Sequence, residues 1–409
     1  MNRPLACLTL WLVLRGAGLC APPETTFQFK FFEKSGPFPV GLKVVDQFDA
    51  SRRFQNEPAS QPSEAPEKGA RPIQTLIWYP AETSARAQMT LGDYAALIKT
   101  ETSFSKPEEH GKSQDFVNSY MQGTLESHTW AFRDAKAAPG HFPLVIYAPS
   151  LNAPATENIE LCEYLASEGF VVMASPSMGP SSRNMTTDLA GANAEAADIS
   201  FLIDFARQLP YVDDAEDAVI GYSWGGMGAL FAAGRDQRIT ALISLDGSFR
   251  YAPEIVQQAE DVHPDRMTIP LLFFSRAEES LESWAAMNKG SGPCASAPSV
   301  LNEWTHGDLI HMHMLAMSHI QFSSLFQRSE RFRKEGAQFS PADYTLDEGD
   351  VSYDWMARYI LAFLNAYLKH DEAAMHFLTR SPAGNGVPLH LISITIRRAQ
   401  AGGPEAGKP

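Results

Sequence analysis

Residues 221–226 have the types and spacing of a reactive serine on a sharp turn. They read Gly-Tyr-Ser-Trp-Gly-Gly, which matches the pattern Gly-x-Ser-x-Gly. In such a turn the serine is strained, and glycine is needed two residues before and after it because side chains there would collide with neighbouring backbone. The helix that follows presents its positive end, which favours a developing negative charge. The pattern therefore predicts nucleophilic attack by Ser223 on a carbonyl carbon.

The residues around this motif favour that interpretation over an ordinary glycine-rich turn. Val219 and Ile220 form a short β-branched strand before it, and small residues at 227–233 predict a helix after it. A nucleophile elbow needs this strand–turn–helix context. Asp217 comes before the strand, at the far edge of the sheet, where we expect it to be solvated.

A serine hydroxyl needs a base to take its proton and a carboxylate to hold that base. After an elbow serine the partners follow in the order acid, then histidine. Asp246 closes an apolar strand at residues 241–245, and Glu278 or Glu279 follows the next strand, at 269–274. Both places are candidates for the acid.

His319 is the favoured base because it comes late in the chain, after the last clear strand. His306, His311 and His313 are its competitors. As His-x-His on an extended segment, the last two could share one face and suit a metal, but zinc would need further ligands. We expect no metal and no cofactor.

Apolar runs alternate with helical patterns from residue 143 onward. Continuous apolar runs are typical of strands buried on both faces; they lie at 144–147, 170–174, 218–220, 241–245 and 269–274. Helices are predicted at 156–167, around 199–206, at 227–233 and at 353–368. This alternation predicts an α/β fold with a mostly parallel central sheet and helices on both faces.

The composition is that of a globular protein, with 44% hydrophobic and 20% charged residues among 409. We expect one domain over residues 22–398, with an insertion around 84–140 that could form a lid, and a disordered tail at 399–409. The formal net charge of −15 makes nucleic acid an unfavourable partner, because an acidic surface repels phosphate.

The first residues predict an export signal. A positively charged start precedes the apolar run at 5–14, and small residues lead to Ala21, where we expect cleavage. The run is too short to span a bilayer, so we expect no transmembrane anchor and a secreted or periplasmic location. Cys162 and Cys294 lie outside this segment, and the sequence leaves open whether they form a disulfide.

On these residues the chain resembles the dienelactone-hydrolase and platelet-activating-factor acetylhydrolase branch of the α/β hydrolases. The resemblance covers roughly residues 36 to 370. Besides the elbow it includes GPFPVG at 36–41, IWYP at 77–80, PLVIY at 143–147 and LASEGFVV at 165–172. It implies the α/β-hydrolase fold and ester hydrolysis through an acyl-enzyme.

The resemblance also bears on the partners of Ser223. The acetylhydrolase-like members place their acid as Asp246 is placed, whereas other dienelactone-hydrolase relatives place it as Glu278 is placed. The family pattern of a histidine followed by a polar residue and phenylalanine matches His319. The resemblance therefore favours Asp246 over Glu278.

The sequence departs from the family at the segment that supplies the oxyanion hole. The family often has His-Gly after that strand, where this chain has Pro-Ser at 149–150. The backbone N–H of Leu151 could still donate, paired with that of Trp224. The shape of the hole and the acyl preference stay open.

The expected function is that of a serine esterase, with Ser223, His319 and Asp246 as the triad and a small-molecule or lipid ester as substrate. Two alternatives remain: a peptidase or amidase with the same triad, and a catalytically dead ligand-binding protein. The sequence predicts neither the identity of the substrate nor the oligomeric state.

Overall fold

A computed structural model describes residues 29, 31–54, 69–104, 112–121, 123–276, 299–329, 341 and 343–400. The predicted export signal, Glu278, Glu279 and Cys294 lie outside these residues, as does all but the start of the predicted tail. Cys162 is buried in the described part.

The described residues form one mixed sheet of ten strands. The strands are β1 (Val40–Arg53), β2 (Ala70–Pro80), β3 (Ala131–Arg133), β4 (Phe142–Ala148), β5 (Val171–Ala174), β6 (Val212–Tyr222), β7 (Ile239–Leu245), β8 (Leu271–Arg276), β9 (Leu309–Met314) and β10 (Ile392–Arg397). Their order across the sheet is β10-β9-β8-β7-β6-β4-β5-β2-β1-β3. The six strands from β9 to β5 are parallel. Strands β10 and β2 pair antiparallel with the two ends of this parallel block, and β1 and β3 extend it beyond β2.

Helices cover both faces of the sheet, which confirms the predicted fold class. They are α1 (Leu91–Ile98), α2 (Lys112–Tyr120), α3 (Ile159–Ser167), α4 (Leu189–Ala206), α5 (Trp224–Arg235), α6 (Pro253–Gln257), α7 (Val300–Glu303), α8 (Ser324–Arg328), α9 (Leu346–Leu368) and α10 (Glu372–Thr379). In the described part of the chain, no helix combines the length and apolar character that crossing a bilayer requires.

Two hydrophobic cores result, one on each face. Along β4 the side chains of Val145 and Tyr147 join the core that α3 and α9 cover, whereas Leu144 and Ile146 join the core under α4 and α5. A strand with both faces buried must be apolar at every position, which is why this segment reads as a continuous apolar run. The central strands are therefore fixed from both sides.

Several boundaries differ from the prediction. The helix predicted from residue 156 begins at Ile159, because the chain first makes a turn in which the Glu157 N–H donates to the Pro154 carbonyl (3.1 Å). Strand β10 and helix α10 follow the long helix and were not predicted. The segment around 84–140 contributes α1, α2 and β3, and β3 pairs with β1 in the sheet.

Helix α9 is the longest described helix, and a capping box begins it. The Thr345 hydroxyl accepts the N–H of Glu348 (3.3 Å), while the Glu348 carboxylate accepts the Thr345 N–H (2.7 Å). The box satisfies two N–H groups that the first helical turn leaves without a partner.

We expect Thr345→Ala to lower the free energy of unfolding by about 1 kcal/mol, because it removes the hydroxyl that caps α9. Urea denaturation followed by circular dichroism measures the change. Thr345→Ser keeps the hydroxyl and serves as the control, with stability close to that of the wild type. Equal losses in both variants would show that the cap does not stabilise the helix.

Candidate active site

Ser223 lies at the turn between β6 and α5, with the backbone angles φ 53° and ψ −115°. A non-glycine residue rarely adopts positive φ, so surrounding contacts must hold it there. Its N–H donates to the Leu245 carbonyl (3.0 Å), and its carbonyl accepts the N–H groups of Gly226 (3.1 Å) and Ser248 (2.8 Å). These bonds hold the serine to the end of β7, to the segment that follows β7 and to the first turn of α5.

Gly225 shows why the motif needs glycine. A Cβ placed on it would overlap the carbonyl oxygen of Ala148 and lie 2.5 Å from that of Pro149. Both obstacles are backbone atoms, which cannot swing away as a side chain can. The absence of a side chain thus lets the elbow pack directly against the segment that follows β4.

Three of the residues predicted from sequence meet at this edge of the sheet. The His319 Nε2 lies 2.9 Å from the Ser223 Oγ, and the His319 Nδ1 lies 2.5 Å from the Asp246 Oδ2. The three side chains form one hydrogen-bonded chain. With the Nδ1 proton directed at the carboxylate, the Nε2 is free to accept a proton from the serine.

Asp246 is fully buried just past the end of β7, at a φ of 46°. Its second oxygen accepts the hydroxyl of Tyr251 (2.5 Å) and the N–H of Arg276 (3.4 Å). Burial alone would raise the pKa of this carboxyl. The hydrogen bond and charge of His319 outweigh burial, with help from Arg276 and Tyr251, and lower the pKa to about 2. Asp246 is therefore ionised at neutral pH.

His319 begins a short 3₁₀ helix, His319–Phe322, and its backbone is held in place. The Tyr222 hydroxyl donates to the His319 carbonyl (2.8 Å). The Gln321 side chain accepts the N–H (2.8 Å) and hydroxyl (2.9 Å) of Ser318. The imidazole itself remains about one-third exposed.

The two proposed oxyanion donors lie on either side of the elbow. Trp224 is the first residue of α5, and Leu151 follows the segment against which Gly225 packs. Within the described part of the chain, neither backbone N–H donates to a protein acceptor. Their role as oxyanion donors stays a prediction.

Two of the three competing histidines lie on a strand, and His306 lies in the segment between α7 and β9. His311 and His313 are on β9 with ring centroids 3.9 Å apart, and the Ser275 Oγ lies 2.9 Å from the His311 Nε2. Burial lowers the pKa of both rings, and the charge of Arg250 adds to this, which disfavours their protonated forms. Among the described residues no group of three or more His, Cys, Asp or Glu side chains is placed to hold a metal ion.

Some contacts around the site, and the burial of one carboxylate, were not predicted from the sequence. Tyr222 donates its hydroxyl to the His319 carbonyl, and Tyr251 donates its hydroxyl to the Asp246 carboxylate. In the sequence, the only signal for these contacts is that the tyrosines lie close to Ser223 and Asp246. The expectation that Asp217 is solvated is wrong. It is fully buried at the far edge of the sheet, where its carboxylate forms an ion pair with Arg207 (2.6 Å).

No protein-family model and no curated protein sequence matches this chain. Among solved structures, a ferulic acid esterase from Streptomyces cinnamoneus matches with a TM-score of 0.63 at 19% sequence identity. The match covers 89% of this chain and 98% of that one. The chain has the α/β-hydrolase fold. In this fold the nucleophile elbow follows a central strand, as Ser223 follows β6. The dienelactone-hydrolase branch stays a prediction.

The lowered pKa of Asp246 predicts how stability depends on pH. The native pKa of about 2 lies below the ordinary value of 3.8. The ionised carboxylate therefore stabilises the fold fully at pH values above about 3.8. This contribution, about 2 kcal/mol, is lost as the pH falls towards the native pKa. Asp246→Asn should therefore be less stable than wild type at neutral pH, and the difference should narrow in acid.

Urea denaturation at a series of pH values between about 7 and 2 tests this linkage. The control is Asp265→Asn, which changes an exposed carboxylate. A stability difference for Asp246→Asn that stays constant over this range would contradict the assignment.

Proposed function

We propose that this protein is an exported serine hydrolase that cleaves carboxylic esters through an acyl-enzyme. The observation that carries the proposal is the continuous hydrogen-bonded chain from the Asp246 carboxylate through His319 to the Ser223 hydroxyl. It occurs at a strained elbow with positive φ, where an α/β-hydrolase fold holds its nucleophile.

In the proposed first half-reaction, the Ser223 Oγ attacks the ester carbonyl carbon while the His319 Nε2 accepts its proton. The imidazolium that forms is stabilised by the buried, ionised Asp246. The tetrahedral oxyanion accepts hydrogen bonds from the backbone N–H groups of Leu151 and Trp224. The C–O bond to the alcohol then breaks, and His319 returns the proton to the leaving oxygen.

In the second half-reaction, water attacks the acyl-enzyme and gives its proton to His319. The bond between the acyl group and the Ser223 Oγ breaks, the serine recovers its proton, and the carboxylic acid leaves. No step of this cycle calls for a cofactor. Small-molecule and lipid esters are the proposed substrate classes, and aryl esters, lactones and polyesters belong in the same screen.

The export signal predicted over residues 1–21 supports a secreted or periplasmic location. Its substrates would then be esters that lie outside the cytoplasm. Expression of the full chain, followed by N-terminal sequencing of the mature protein, tests whether the signal is removed after Ala21.

Replacing Ser223 with alanine should abolish turnover of short-chain p-nitrophenyl esters, with a loss of kcat on the order of 10⁵-fold or more, because no other group replaces the nucleophile. The matched control is Ser244→Ala. Ser244 is buried on β7, and its hydroxyl has no hydrogen-bond partner among the described residues. This control should keep wild-type kcat.

Retained turnover in Ser223→Ala would overturn the proposal. Including anilide and peptide substrates in the same assay separates an esterase from an amidase. Activity on amides alone would place this triad in a different class of hydrolase.

A further inference from the structure

Glu157 is a fully buried carboxylate that the proposed mechanism does not use. Three donors converge on it. The Ser150 N–H (2.8 Å) and the Tyr147 hydroxyl (3.1 Å) donate to its Oε2, and the Ser150 hydroxyl donates to its Oε1. Burying a carboxylate is costly unless donors satisfy it, and here two of the three donors come from one residue, Ser150.

Its main partner, Ser150, immediately precedes Leu151, the proposed oxyanion donor. The N–H and side chain of Ser150 are held by Glu157, and its carbonyl accepts the N–H of Ala153 (2.9 Å). The peptide group between Ser150 and Leu151 is thus fixed through every polar atom of Ser150. Glu157 therefore fixes the residue on the N-terminal side of the peptide that carries the Leu151 N–H, while Ala153 holds the carbonyl of that peptide.

The same part of the chain also holds the segment after His319. The Glu157 carbonyl accepts the Ser323 hydroxyl (3.0 Å) and the Leu325 N–H (3.1 Å). The neighbouring Asn158 donates its side-chain amide to the Phe322 carbonyl (3.0 Å) and accepts the Ser324 N–H (3.0 Å).

We propose that Glu157 is a positioning residue that holds the oxyanion peptide in register with the segment carrying His319. The inference rests on the proposed function of this site. Glu157 touches no reacting atom. It acts through Ser150 on one side and through the backbone that follows His319 on the other.

The charge of Glu157 is part of this role. Three donors suit an ionised carboxylate, whereas a protonated one would have to donate, so one of the hydroxyls would reverse. The titratable groups that face it among the described residues are Tyr147 on β4, Tyr222 on β6, Cys162 on α3 and Glu195 on α4. None of these is a cation. Burial raises the pKa of Glu157 to about 7, against the opposing hydrogen bonds of Ser150 and Tyr147.

Two substitutions should lower kcat in opposite pH ranges. Glu157→Gln stays neutral at every pH, so its kcat should be about tenfold below wild type in alkali, and the deficit should close as the pH falls through about 7. Ser150→Ala removes a donor that favours the ionised form, which raises the pKa of Glu157. Its kcat deficit should be largest near neutrality and should shrink in alkali to the part that comes from losing the hydroxyl contact itself. The KM of both should stay within about twofold of wild type.

Glu163→Gln is the matched control. Glu163 is also a buried glutamate whose pKa burial raises to about 7, and it accepts the Tyr94 hydroxyl (2.6 Å) and the Trp130 N–H (2.6 Å), away from the oxyanion segment. Its kcat should follow wild type at all pH values.

The experiment measures kcat and KM for p-nitrophenyl acetate from about pH 5 to pH 9, with circular dichroism on each variant. Wild-type kcat in Glu157→Gln, a deficit independent of pH, or an equal deficit in Glu163→Gln would overturn the inference. If Glu157→Gln does not fold, the pH profile of Ser150→Ala decides. An inactive wild type would instead show that the proposed function itself is wrong.

Discussion

The site depends on one close approach of backbone to backbone. Gly225, two residues past the elbow serine, lies against the carbonyl groups of Ala148 and Pro149, where a side chain would not fit. This contact brings the end of β4 against the start of α5. Ser223 is held at positive φ beside it by backbone hydrogen bonds to Leu245 at the end of β7, to Ser248 beyond that strand and to Gly226 in α5. A larger residue at 225 would separate Ser223 from the segment that carries Leu151.

The parallel sheet brings further side chains to this elbow. Strands that run in the same direction end at the same edge, so residues that follow β4, β6, β7 and β9 meet there although they are far apart in sequence. Asp246 lies near Ser223 because β7 is the neighbour of β6, and His319, from the segment after β9, forms hydrogen bonds with both. The burial of Asp246 strengthens its hydrogen bond to the imidazole. Glu157 and Asn158 then link the loop after β4 to the loop that carries His319.

Much of this arrangement could be predicted from the sequence. The elbow has a local pattern, and the apolar runs of the central strands follow from burial on both faces, so the parallel sheet and the place of Ser223 were predictable. Asp246 could be chosen over Glu278 only through a family resemblance. The structure puts Asp246 in contact with His319, while Glu278 lies outside the described residues.

The remainder could not be predicted because it depends on contacts between distant segments. Asp217 looked like an exposed carboxylate, and only the fold buries it against Arg207. The role of Glu157 depends on bonds to residues more than 160 positions away, which no local pattern reveals. Strand β10 alternates as an edge strand does, but the short run Ile392–Arg397 follows the long helix with no signal that it returns to the sheet.

Covalent labelling tests most directly whether the Ser223 hydroxyl is reactive. The folded protein is treated with a fluorophosphonate, which loses fluoride when an activated serine attacks its phosphorus, and the adduct is located by peptide mass spectrometry. We expect one adduct, on the peptide that contains Ser223, and none when the protein is denatured before labelling. An adduct on a different serine, or an unlabelled Ser223 in the folded protein, would contradict it.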